Sequence, residues 1–165
     1  FGIEIFASVF DVERVQWCED VGVKRYKIAA RMRDSDVLDA VNATGKGVII
    51  SCDPDKVGSW ELLTNNRYIL YCVSKYPTLP NEVAFPEFRD YWQGFSDHTL
   101  GIQMALCALA RGARIIEKHF TLDKYAVGFD HLWSMLPREL RQLKRYEEVL
   151  KHNYGDSREW VRQNQ

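Results

Sequence analysis

The stretch QGFSDHTLGIQMALCALARGARIIEKHFT, Gln93 to Thr121, decides the fold. A short strand over Gln93–Ser96 is followed by a long apolar helix over Thr99–Arg111. Gly112 then stops the helix, and Ala113–Lys118 forms a second strand. A strand, a helix and a strand with short connections make one parallel βα unit. Working outward, the same alternation recurs. Strands are predicted over Gly2–Ser8, Lys24–Ala29, Gly47–Ser51 and Arg67–Val73. Helices are predicted over Val12–Asp20, ending at Gly22, and over Ser35–Ala43, capped by Ser35 and followed by Gly45. Lys56–Thr64 reads as a short helix, and Glu82–Tyr91 as a weak helix or loop. Pro137–His152 reads as a long helix opened by Pro137 and followed by Gly155.

About six strands in series, nearly all separated by helical segments, imply an α/β fold with a parallel sheet. The chemistry-bearing residues choose between an open sheet and a barrel. Ser8, Lys27, Ser51, Ser74, Ser96, His98 and His119 all fall at or just past predicted C-terminal strand ends. In a (β/α)8 barrel those ends converge. In an open sheet only strands near the switch point meet. The expectation is a TIM-type (β/α)8 barrel, present as a partial barrel of about six βα units, because 165 residues fall short of the roughly 200 a whole barrel needs. No GxGxxG or P-loop pattern points to a nucleotide fold.

Composition narrows the function classes. With 46% hydrophobic and 27% charged residues, the chain has enough apolar material for a core. A net charge of −1 leaves no basic stripe for nucleic acid. The longest apolar stretches, Val48–Ile50 and Ala105–Ala110, are far short of the roughly 20 residues of a membrane span. Phe1–Phe6 has no basic leader segment. Cys18, Cys52, Cys72 and Cys107 show no metal-binding spacing and read as reduced, buried thiols of a cytoplasmic protein.

Five segments carry candidate chemistry. Ser96-Asp97-His98-Thr99 and Glu117-Lys118-His119-Phe120-Thr121 put two histidines at consecutive strand ends, where neutral imidazoles can share a divalent cation. Asp97 and Glu117 are candidates for orienting those rings. Asp130 and His131, in Gly128-Phe129-Asp130-His131, follow the last strand and are candidates for substrate contact. Ser74 and Tyr76 follow another strand, with Pro77 fixing the loop. Lys27 sits inside a strand, so if it faces inward its charge needs a partner such as a phosphate or carboxylate. The hydroxyls of Ser8 and Ser51 suit the same anion.

Together, Tyr26-Lys27-Ile28, Tyr76-Pro77-Thr78, Ser96–Thr99, Glu117–Thr121 and Gly128–His131 resemble, in order and spacing, the N-acetylneuraminate (sialic acid) synthase family over essentially the whole chain. The resemblance implies a phosphoenolpyruvate-dependent condensation with an N-acyl mannosamine or related amino sugar, releasing phosphate by C–O cleavage. It implies manganese or magnesium held between His98 and His119, and catalytic or sugar-side roles for Tyr76 and Asp130. Lys27, Ser8, Ser51, Ser74 and Ser96 become the phosphoenolpyruvate cradle. It also implies a homodimer in the full-length form, with residues 1–165 as one partial catalytic barrel from which the first two βα units and a C-terminal antifreeze-like domain are absent. Ala30 stands where the family often has serine, with Arg31 after it, and Cys52-Asp53 replace a usual Thr-Gly. The alternative is an inactive barrel serving as a binding or assembly module; a metal-dependent aldolase would share the histidines without the phosphate cradle.

Overall fold

A computed structural model describes residues 4–32, 36–56 and 66–154. Its strands are β1 (Ala7–Ser8), β2 (Arg25–Ile28), β3 (Gly47–Cys52), β4 (Arg67–Cys72), β5 (Gly94–Asp97) and β6 (Ile115–Lys118). The helices are α1 (Val12–Asp20), α2 (Asp36–Ala43), α3 (Gln103–Ala110) and α4 (Pro137–Tyr154). The strands follow one another in sheet order from β1 to β6. That sequential parallel order is the partial (β/α)-barrel class the sequence predicts. Two compact units divide within β4, at Ile69 and Leu70.

In the first unit, register sorts the side chains. Ala7 pairs with Tyr26, Ser8 with Lys27, and Lys27 with Ile49. Since strand side chains alternate faces, Ser8, Lys27, Ile49 and Ser51 share one face. Tyr26, Ile28, Val48, Ile50 and Cys52 occupy the other, and all five are buried. Tyr26 donates its hydroxyl to Glu19 on α1, and burial followed by that bond pushes its pKa upward. Glu19 also takes Lys46 at 2.8 Å, which with Tyr26 lowers its own pKa. Asp11 caps α1 by accepting from Arg14 N at 2.9 Å. Gly22 and Gly45, at φ 72° and 67°, end α1 and α2 in the left-handed region, as expected.

In the second unit, Cys72, Ser96 and Glu117 align across β4, β5 and β6. Tyr71, Phe95 and Ile116 form the adjacent row, and Phe88, Ala108 and Ala113 pack with the first two of these in a buried cluster. Ile102, Ala105, Met135 and Leu143 make a second cluster. Gly94 is required by contact rather than by its φ. A Cβ there would lie 2.1 Å from Ile115 O and 2.8 Å from Ile115 Cβ.

Several sequence expectations are corrected. The helix predicted from Thr99 begins at Gln103, because Asp97 Oδ1 accepts from both the backbone and the hydroxyl of Thr99, at 2.8 and 2.7 Å. Gly101, at φ 71°, then turns the chain before the helix starts. Of the two readings for Glu82–Tyr91, the loop is the one that forms, after a 3-10 turn over Pro80–Glu82. Cys107 is exposed, while Cys18, Cys52 and Cys72 are buried, and none of the four forms a disulfide among the described residues. The Ser35 cap, the body of the predicted Lys56–Thr64 helix and Gly155 lie outside the described residues.

Candidate active site

The Ser-Asp-His-Thr and Glu-Lys-His-Phe-Thr segments interleave by strand alternation. Asp97 pairs with Lys118 in the register, so His98 and His119 follow side by side just past β5 and β6. Their ring centroids are 5.9 Å apart. Asp97 and Lys118 face the other way and form a salt bridge of 3.0 Å, their side chains 0% and 1% exposed. Lys118 also donates to Thr99 O at 2.7 Å. This corrects the expectation that Asp97 orients an imidazole: both its oxygens are used by Thr99 and Lys118. Burial depresses the Lys118 pKa, opposed by Asp97.

A backbone carbonyl orients His98 instead. His98 Nδ1 lies 3.0 Å from Val73 O. A carbonyl only accepts, so Nδ1 carries the hydrogen and Nε2 presents a lone pair. Burial lowers the His98 pKa, partly offset by the Val73 bond, and His119 lowers it further. Burial thus favours the neutral ring, the form in which an imidazole binds a metal. His119 Nδ1 lies 3.7 Å from Asp130 Oδ2. Among the described residues no group of three or more His, Cys, Asp and Glu gathers around one point. The groups that would serve a divalent cation here are the two neighbouring imidazoles of His98 and His119 alone.

Tyr76, which precedes a cis peptide bond to Pro77, stacks on His98 with ring centroids 4.0 Å apart. It stands edge-on to His119 at 6.1 Å. Thr78 fixes this loop, its N–H donating to His98 O at 3.0 Å. Ser96 is buried and donates to Glu117 Oε2 at 2.7 Å. Ser74 is exposed beyond β4, its Oγ 3.8 Å from Cys72 Sγ. Asp130 is exposed on the loop after β6. His131 Nδ1 lies 2.7 Å from Thr121 Oγ1, a contact that ties the loop to the end of β6. Gly128, at φ 149°, lets the chain pass His131 where a Cβ would come within 2.8 Å of the ring.

In the first unit, Lys27 is 6% exposed and its Nζ donates to Ile28 O at 2.9 Å. Ser8 and Ser51 share its sheet face, Ser8 exposed and Ser51 buried. Asp53 stands 3.4 Å from Lys56, a partner its place in the sequence did not disclose. Sequence reasoning also missed Trp133, whose ring lies 6.0 Å from Tyr76 and whose indole Nε1 is buried with no hydrogen-bond partner among the described residues. Nothing in the order of residues marked it.

Consecutive parallel strands, with two imidazoles side by side just past β5 and β6, define the class as a partial (β/α) barrel. Residues 1–159 match the NeuB family, and the chain belongs to that family. N,N'-diacetyllegionaminic acid synthase of Campylobacter jejuni is 35% identical over 158 residues, covering 86% of this chain and 47% of that protein. Human N-acetylneuraminate-9-phosphate synthase is 28% identical, covering 93% of this chain and 47% of its own length. The chain spans about half the length of the curated relatives it matches. Among solved structures, the N-acetylneuraminic acid synthetase of Leptospira borgpetersenii superposes with a TM-score of 0.83 at 30% identity, covering 94% of this chain and 59% of that one. The family resemblance read from the sequence is thereby borne out.

Proposed function

We propose that the protein acts as a sialic-acid-type synthase, joining phosphoenolpyruvate to an N-acyl mannosamine or related amino-sugar aldehyde. The observation that carries this reading is the His98–His119 pair, with ring centroids 5.9 Å apart, in a chain of the NeuB family. C3 of phosphoenolpyruvate bonds to the aldehyde carbon, and the aldehyde oxygen takes a proton to become a hydroxyl. Water adds at C2, and phosphate leaves with cleavage of the C–O bond. A divalent cation, manganese or magnesium, held by His98 and His119 supplies Lewis acidity toward the aldehyde. Lys27 and the hydroxyls of Ser8, Ser51, Ser74 and Ser96 bind the carboxylate and phosphate of phosphoenolpyruvate. Tyr76 covers His98 and contacts the sugar, and Asp130 accepts from sugar hydroxyls. The product class is a nonulosonic acid used in surface polysaccharide, made in the cytoplasm by a homodimer. Among the described residues no helix is long and apolar enough to cross a membrane.

The test is phosphate release with manganese present. Release that needs both phosphoenolpyruvate and an N-acyl amino sugar, and that His98→Ala abolishes, is the expected result. Turnover with pyruvate in place of phosphoenolpyruvate would identify an aldolase. No release with any sugar would identify an inactive module.

A further inference from the structure

Phe10 and Arg31 lie just past the C-terminal ends of β1 and β2, which pair directly through Ser8 and Lys27. Val9 N–H continues that contact by donating to Lys27 O at 3.4 Å. The Arg31 guanidinium carbon sits 4.7 Å from the centroid of the Phe10 ring. Both side chains are exposed. The other stacked arginine of this unit makes an informative contrast. Arg14 lies 4.7 Å over Trp17, but its guanidinium is also taken by Asp11 at 2.9 Å and Glu13 at 3.2 Å. Arg25 is likewise held by Glu4, and Lys46 by Glu19. Arg31 has no carboxylate partner among the described residues. The ring contact restrains it while leaving the N–H fork open to a ligand anion.

A phosphate monoester carries about −1.5 to −2 charge at pH 7. Lys27, on the strand that leads into the turn carrying Arg31, supplies one positive charge, and Ser8 beside it in the register supplies a hydroxyl. A guanidinium matches two phosphate oxygens at once, which an ammonium cannot do. We propose that Arg31, stacked on Phe10 at the ends of β1 and β2, is a further phosphate-binding residue that takes the phosphate group of the substrate. Naming that substrate as phosphoenolpyruvate rests on the function proposed above, while the phosphate chemistry rests on this unit's own cations.

The test is calorimetric binding of inorganic phosphate, phosphoenolpyruvate and phosphate-free pyruvate to the wild type, Arg31→Ala, Arg31→Lys and Phe10→Leu. Circular dichroism confirms folding of each variant. Arg31→Ala should weaken phosphate and phosphoenolpyruvate about tenfold or more, as loss of a charge-assisted contact does, and leave pyruvate unchanged. Arg31→Lys should recover only part of the affinity. Phe10→Leu should lose a few-fold, because the charge remains but its restraint does not. Equal phosphate binding by wild type, Arg31→Lys and Phe10→Leu overturns the inference even if Arg31→Ala fails to fold. A wild type that binds no phosphate overturns it as well. Arg31-dependent phosphate binding without synthase turnover leaves the inference standing and sinks the proposed function instead.

Discussion

His98 and the Asp97–Lys118 pair sit on opposite faces of adjoining positions and respond to different changes. The His98 pKa is depressed below 6.5 in the fold, first by burial. Above pH 6.5 the folded and unfolded chains both hold the ring neutral, and its neutral burial is not penalised. As pH falls below 6.5, the unfolded chain takes the proton first, and stability is lost until the folded pKa is passed. Urea midpoints between pH 7.5 and 5 should therefore fall more for the wild type than for His98→Gln; equal slopes would contradict this. The Lys118 ammonium is 1% exposed against Asp97. Lys118→Met leaves a buried carboxylate without its counter-charge and should cost about 3–5 kcal/mol. Asp97→Asn combined with Lys118→Met should recover part of that loss, measured by chemical denaturation.

Among the elements, the β5–β6 pairing is the one whose sequence tolerates least. Gly94→Ala drives a Cβ into Ile115 O and Ile115 Cβ, at 2.1 and 2.8 Å. Neither obstacle is the far end of a flexible side chain, so the strands must separate. Overpacking of this kind typically costs about 1–3 kcal/mol, or several degrees in Tm for a chain of this size. Gly47→Ala meets the Asn66 side-chain amide at 3.3 Å and the Asn66 carbonyl at an ordinary contact of 3.8 Å, and should be far milder. A thermal melt that ranks the two the other way would refute the packing argument. Because His98 and His119 follow β5 and β6 directly, Gly94→Ala should also weaken manganese binding, whereas Gly47→Ala should not.

Among the described residues, β1 and β6 are the outer strands of the sheet order. Strand edges that lack partners invite pairing with another chain. Residues 1–165 expressed alone should therefore self-associate as concentration rises, as read by sedimentation velocity. A monomer across the micromolar range would show that these edges are protected. Manganese titration tests the metal reading at the same scale. Binding should be lost in both His98→Ala and His119→Ala and tightened by phosphoenolpyruvate in the wild type. If the variants bind as well as the wild type, the histidines are structural.

The order of residues alone determined the βα alternation, because apolar runs of strand length separated by amphipathic stretches leave little else to form. It also placed the helix ends at Gly22, Gly45 and Gly112, whose backbones adopt φ 72°, 67° and 97°. His98 and His119 were legible because both follow strands, and strand ends are set locally. Register is not local. Only the pairing of Asp97 with Lys118 put those two on the buried face as an ion pair, and so left His98 and His119 side by side on the other. Val73 O as the orienting group of His98, Asp97 as the partner of Thr99, and the stack of Arg31 on Phe10 each depend on contacts beyond the repeating pattern. Periodicity reports which face a residue occupies on its own strand; which atoms meet there is decided when strands and loops distant in sequence settle against one another.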